Sequence, residues 1–236
     1  MTQNEHKRQR KLLAKRIQRK SAGQRKLARL RLTGIHARME SAASWPVVQA
    51  RASTTIWKDG IGEALLARRG PNGMTVISVF LLDVYCLGVK NVISRADSEL
   101  ATNQWMSDLF DRAGPWTDVS PEYIRKVVEE SIGYALSLGI APHPECATAQ
   151  MIFGDLDSSK CAHQFTFGNE GKPLFVAGPR DNPSRIRTII STLQQTCGED
   201  GFHYVLPMDS VDVPFGIENL ADPSTVNRIE FEDDEE

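Results

Sequence analysis

The apolar positions of this chain change their period several times, and the changes mark its elements. Residues 63–69 (EALLARR) and 74–87 (MTVISVFLLDVYCL) are apolar runs on either side of Gly70-Pro71-Asn72-Gly73. A four-residue loop holding two Gly, a Pro and an Asn between such runs predicts an antiparallel hairpin. The second run is β-branched and aromatic and apolar on both faces, as a central strand is. Residues 98–112 space Trp105, Met106, Leu109 and Phe110 three and four apart, which predicts a helix. A stronger helix signal follows it. Ser120 is placed to cap, Pro121 takes the first helical position and Gly139 terminates. Between them Ile124, Val127, Val128, Ser131, Ile132, Ala135 and Leu138 form one broad face. A shorter helix is expected over 144–153.

The last third predicts a second hairpin. Residues 163–167 alternate as a short strand, Gly168-Asn169-Glu170-Gly171 makes the turn, and 174–177 return. Asp181-Asn182-Pro183 then opens a helix over 183–197 with Ile186, Ile189, Ile190 and Leu193 facing inward. Residues 202–207 (FHYVLP) make a final strand. This order favours an α+β fold, with a mixed or antiparallel sheet built from two hairpins plus a final strand and helices packed on one face. One such domain is expected over 45–215, between an N-terminal arm (1–44) and an acidic C-terminal tail (216–236).

Charge alters this picture more than composition does. The net charge of −2 conceals 13 Lys and Arg against two acids in residues 1–40, a local +11, and −13 over the rest. Lys7, Arg8, Arg10, Lys11, Lys15, Arg16, Arg19, Lys20, Arg25, Lys26, Arg29 and Arg31 carry the arm's charge, with Leu13, Ile17, Leu27 and Leu30 as a thin apolar stripe. Repulsion among these cations predicts an arm that is disordered or partly helical when free, and a bound anion would cancel it. Each cation that neutralises a phosphate releases a counterion, so about six to ten phosphate contacts would give sequence-independent binding at low salt. The arm has no aromatic residue to stack on a base. That favours duplex or structured RNA over a stacked single strand, and RNA over DNA. The expected function is therefore an accessory protein that binds nucleic acid through its arm, with a non-catalytic domain. The acidic domain is free to dock a protein partner, or the arm to fold back on it.

Other features bound the setting. No apolar run reaches the length of a spanning helix and the charged N-terminus has no secretory core, so a cytoplasmic chain without a membrane span is expected. Cys86, Cys146, Cys161 and Cys197 lie far apart and are expected as reduced, partly buried thiols. No cofactor is implied.

Candidate chemistry is sparse. Asp83 interrupts an apolar strand, and a buried carboxylate needs a partner or a task. With Glu63 and Lys90 it sketches a metal-dependent hydrolase or nuclease, two acids on a divalent cation and a lysine on phosphate. His143, Cys146, Cys161 and His163 have the residue types of a zinc site. Yet a C-x-H pair on a strand projects to opposite sides. His143-Pro144-Glu145 matches half of a zinc deaminase signature, but P-C-x-x-C is absent. Residues 154–159 begin like a calcium loop, but Lys160 stands where Gly is needed and Thr166 where Glu is. No Gly-rich phosphate cradle or G-x-S-x-G elbow occurs.

Two stretches, ARRGPNGMTVISVFLLDVYCLGVKN and FTFGNEGKPLFVAGPRDNPSRIRTIISTLQQTCGEDGFHYVLP, resemble a family of uncharacterised bacterial proteins. The similarity covers about residues 45–208, VYCLGVK is its most distinctive part, and the arm and tail lie outside it. The resemblance implies a bacterial cytoplasmic protein and carries no activity or catalytic residue.

Overall fold

A computed structural model describes residues 34–206 except Ala113 and Arg180. The twelve cations of residues 7–31 and the acidic tail lie outside the described residues. Residues 34–42 (α1) are helical, and Met39 and Ala42 on it are fully buried in the main core. The globular part therefore begins before residue 45, because α1 supplies core side chains.

Five strands form an antiparallel sheet in the order β4-β3-β2-β1-β5. These are β1 (Val47–Ser53), β2 (Ile61–Arg69), β3 (Met74–Asp83), β4 (Gly88–Ser98) and β5 (Trp116–Asp118). The predicted hairpin is β2–β3, paired from Ile61↔Asp83 to Arg69↔Thr75 around a 3-10 turn at Pro71–Gly73. The second apolar run stops at Asp83, and residues 84–87 turn into β4. Strands β1 and β4 have no counterpart among the predicted elements. Their sequences, VVQARAS and GVKNVISRADS, lack a long apolar run because each buries only part of its length.

Helix α2 (Ile56–Asp59) bridges β1 and β2, and α3 (Glu99–Phe110) follows β4 with Ser98 accepting from the Ala101 N–H. Helix α4 (Pro121–Ser137) starts as predicted, Ser120 accepting from Tyr123 N–H at 3.1 Å. It buries Ile124, Val127, Val128, Ser131 and Ala135. Helix α5 (Cys146–Gln150) runs into a 3-10 turn at Met151–Phe153, and α6 (Pro183–Cys197) is capped by Asn182, which accepts from Arg185 N–H at 2.9 Å.

The fold is α+β, but helices cover both faces of the sheet. Side chains of α1, α4 and α5 share a core with Ala64, Leu66, Val76, Phe80 and Leu82. On the other face Met106, Trp105, Leu109 and Phe110 of α3 pack with Leu65, Ala67, Ile77 and Val79. Strands apolar on both faces require cover on both.

The second predicted hairpin is not formed. Residues 163–167 are not a strand; Phe165 stacks on Trp57 (5.1 Å, 11°) and Phe167 on Tyr134 (5.1 Å, 23°). Only the turn survives, with an isolated bridge between Asn169 and Lys172. β6 (Leu174–Val176) instead pairs in parallel with β7 (His203–Val205), Leu174↔His203 to Val176↔Val205. The rings of this segment take stacked partners in place of a strand ladder. A separate core forms here from Cys86, Leu87, Leu138, Phe175 and Phe202 with Ile186, Ile189, Ile190 and Leu193 of α6.

No helix among the described residues is long and apolar enough to cross a membrane. All four cysteines are free, Cys86, Cys146 and Cys161 buried and Cys197 partly so. Burial raises the Cys86 thiol far above its ordinary value and Cys146 to about 11, so neither is an activated nucleophile.

Candidate ligand cavity at the end of the sheet

The α3 helix covers only part of its face. Register puts Ile61, Glu63, Leu65 and Ala67 of β2 opposite Asp83, Leu81, Val79 and Ile77 of β3, all on that face. α3 packs on the last two pairs and leaves the first two. Over this uncovered end lies a cavity of about 550 Å³, closed on its far side by β6, the Ala177-Gly178-Pro179 corner and the start of α6. That volume falls within the usual range for small-molecule sites.

Its walls are apolar at Ile61, Leu81, Leu174, Val176 and Ala177, and its polar groups converge from four elements. Asp83 ends β3 and is 6% exposed. Its Oδ1 accepts from Cys86 N–H at 2.9 Å, and the Leu87 and Tyr85 N–H groups also favour its charge. Burial raises the Asp83 carboxyl above the ordinary aspartate value, and these donors together with Lys90 oppose that shift. Asp83 thus has the structural task of holding the β3–β4 turn. The turn in turn seats Tyr85, whose hydroxyl donates to Lys58 O at 3.0 Å and whose ring lies over Gly60.

Asp181, ahead of α6, has a side chain 4% exposed. Its Oδ2 accepts from Gly178 N–H at 2.8 Å and lies 3.7 Å from Lys90 Nζ, while Oδ1 is 3.3 Å from Arg185 Nε. One buried carboxylate therefore draws two cations to the rim of the cavity. Lys90 comes from β4, where a register shift between Leu81 and Leu82 of the neighbouring strand alters the alternation of side chains. Asn91 Oδ1 accepts from Val92 N–H, which leaves its amide N–H₂ as donor. His143 Nδ1 accepts from Glu145 N–H at 3.3 Å, which leaves Nε2 as the ring's donor. Asp83 and Asp181 are held by partners within the protein, and Lys90, Asn91, His143 and Arg185 bring donors to the lining.

Of the sequence-derived candidates, Asp83 and Lys90 line one cavity. Glu63 sits opposite Leu81 but is not part of the lining, and burial raises its carboxyl above the ordinary value. The zinc set is not assembled. His143 lines the cavity, Cys146 lies in the main core, Cys161 is buried, and His163 packs on Tyr123 (5.4 Å) and Phe165 (5.0 Å). Among the described residues no three or more His, Cys, Asp or Glu are grouped to hold a metal ion. Sequence reasoning missed Asp181, Arg185 and Asn91. Asp181 stood only as part of a helix start, and nothing local signals that its carboxylate meets a lysine ninety-one positions earlier.

The fold and site define an α+β protein with a donor-lined cavity between a five-strand antiparallel meander and a β-α-β unit. No family model, curated protein or solved structure matches the chain.

Proposed function

We propose that this is an accessory protein that binds nucleic acid, RNA in preference to DNA, through the phosphate contacts of its basic arm. The observation that carries the reading is charge: twelve Lys and Arg and no acid between residues 7 and 31. The cations of the globular part add support because many are already engaged. Arg51 pairs with Asp118, Arg69 with Glu99, Arg95 with Asp97, Arg125 with Glu129 and Lys126 with Glu130. Phosphate binding then falls to the arm. The described residues open three positions after Arg31, in α1, which is anchored through Met39 and by Arg38 donating to Ala96 O at 3.0 Å. Nucleic acid held by the arm would accordingly sit close to the globular part. The arm offers no ring on which a splayed base could stack, which favours duplex or structured RNA over an unpaired single strand.

Fluorescence anisotropy of labelled RNA and DNA duplexes across a salt series tests this. The full chain should bind with a log–log salt slope of about −0.9 per phosphate contacted. A full chain with all twelve arm cations replaced by Gln should lose that binding. Equal binding by the two proteins would refute the reading.

A further inference from the structure

Independently of the arm, we propose that the cavity at the end of the sheet binds a small organic carboxylate with an apolar body, its head held by Lys90 and Arg185. The argument begins at Lys90. Its side chain is 17% exposed, and the ammonium donors reach no hydrogen-bond acceptor among the described residues. The nearest carboxylate oxygen, on Asp181, is 3.7 Å away, and it already accepts from the Gly178 N–H. A mostly buried ammonium without acceptors is costly, and an anion entering the cavity would supply them.

Arg185 is the second support. It shares Asp181 with Lys90 through Nε, lines the cavity, and has a half-exposed side chain whose other N–H groups have no partner among the described residues. Asp181 orients both cations and neutralises only one. Asp83 also lies within the electrostatic reach of Lys90, but burial disfavours its charged form. Asn91 and His143 add two further donors on the same lining. Everything that points inward as donor is thus matched to an acceptor-only head group. A carboxylate fits that requirement and suits the fork of an arginine.

The apolar walls set the rest of the ligand. Ile61 and Val176, 40% and 45% exposed, are large hydrophobic side chains on the lining, together with Leu81 and Leu174. An inorganic anion would leave these surfaces wet. An alkyl or aryl tail would bury them at about 25 cal/mol per Å². A polynucleotide is disfavoured by the same apolar walls.

Calorimetric titration of the full chain with octanoate, octanamide and acetate is the test. Octanoate should bind at least about tenfold more tightly than octanamide, the size of one charge-assisted hydrogen bond, and far more tightly than acetate. Lys90→Gln keeps donors but removes the charge, and should erase the preference for octanoate over octanamide while leaving octanamide affinity unchanged. Arg187→Gln, an exposed cation on α6 outside the cavity, should change neither. Thermal melts and circular dichroism establish that each variant is folded, and Lys90→Met provides a second variant if Lys90→Gln is not. No heat with octanoate, equal affinity for octanoate and octanamide, or an unchanged preference in folded Lys90 variants would overturn the proposal.

Discussion

Arg68 shows how one buried cation holds distant segments together. It sits in the middle of the sheet at 3% exposure, and its guanidinium donates to Ile152 O (2.6 Å), Phe153 O (2.7 Å) and Trp45 O. Three carbonyls from two separate segments converge on one planar fork, Phe153 O accepting from Leu156 N–H as well. A lysine cannot reach all three. Arg68→Lys should lower stability by about 2–4 kcal/mol in urea unfolding, the result of leaving buried carbonyls unpaired. Asp83 gives a prediction with a pH sign. Its carboxyl is raised in the folded chain, chiefly by burial. Its contribution to stability is therefore complete below the ordinary aspartate pKa and is lost as pH rises through the raised folded value. Compared at pH 4 and pH 7, the wild type should lose urea midpoint relative to Asp83→Asn on going to neutral pH. The opposite trend would mean that Lys90 and the turn N–H groups outweigh desolvation.

At the scale of elements, what was legible depended on whether a signal was local. Helices α4 and α6 announced themselves through their starts and apolar faces and α3 through its apolar spacing alone; Ser98, Ser120 and Asn182 each accept an N–H three residues on. The β2–β3 hairpin was legible from its loop. β1 and β4 were not, because their side chains alternate irregularly between core and rim. The expected strand at 163–167 failed for a different reason: its rings find partners on α2 and α4, a preference that no periodicity in the strand itself encodes. For the cavity, Asp83 and Lys90 could be singled out in sequence, but Asp181 and Arg185 reach them only through the parallel β6–β7 pairing. Gly88 tests the packing of β4 on α4. Its φ is +64°, and a Cβ there would lie 2.5 Å from Ser131 O and 2.7 Å from Ala135 Cβ. Gly88→Ala should cost at least about 2 kcal/mol, from the left-handed backbone and the collision together, read as a lower melting temperature.

For the molecule as a whole, segregated charge makes the proposed arm sensitive to its own chain. Residues 230–236 hold Glu230, Glu232, Asp233, Asp234, Glu235 and Glu236, a dense acidic run opposite in sign to residues 7–31. If nucleic acid binds the arm, this run competes for the same cations. Deleting 229–236 should raise affinity for duplex RNA at low salt, with the gain fading as salt rises and screening shortens. No change on deletion would show that the tail does not reach the arm.

The position of the cavity also sets when it exists. Strands β1 to β4 adjoin in chain order, so the meander assembles from contacts close in sequence, whereas β6 meets β7 only after α6 has crossed between them. The cavity has one wall from each, and a half-assembled chain has nowhere for a ligand to sit. A ligand there should leave the folding rate as it is and slow unfolding, a brake applied to the last docking step alone.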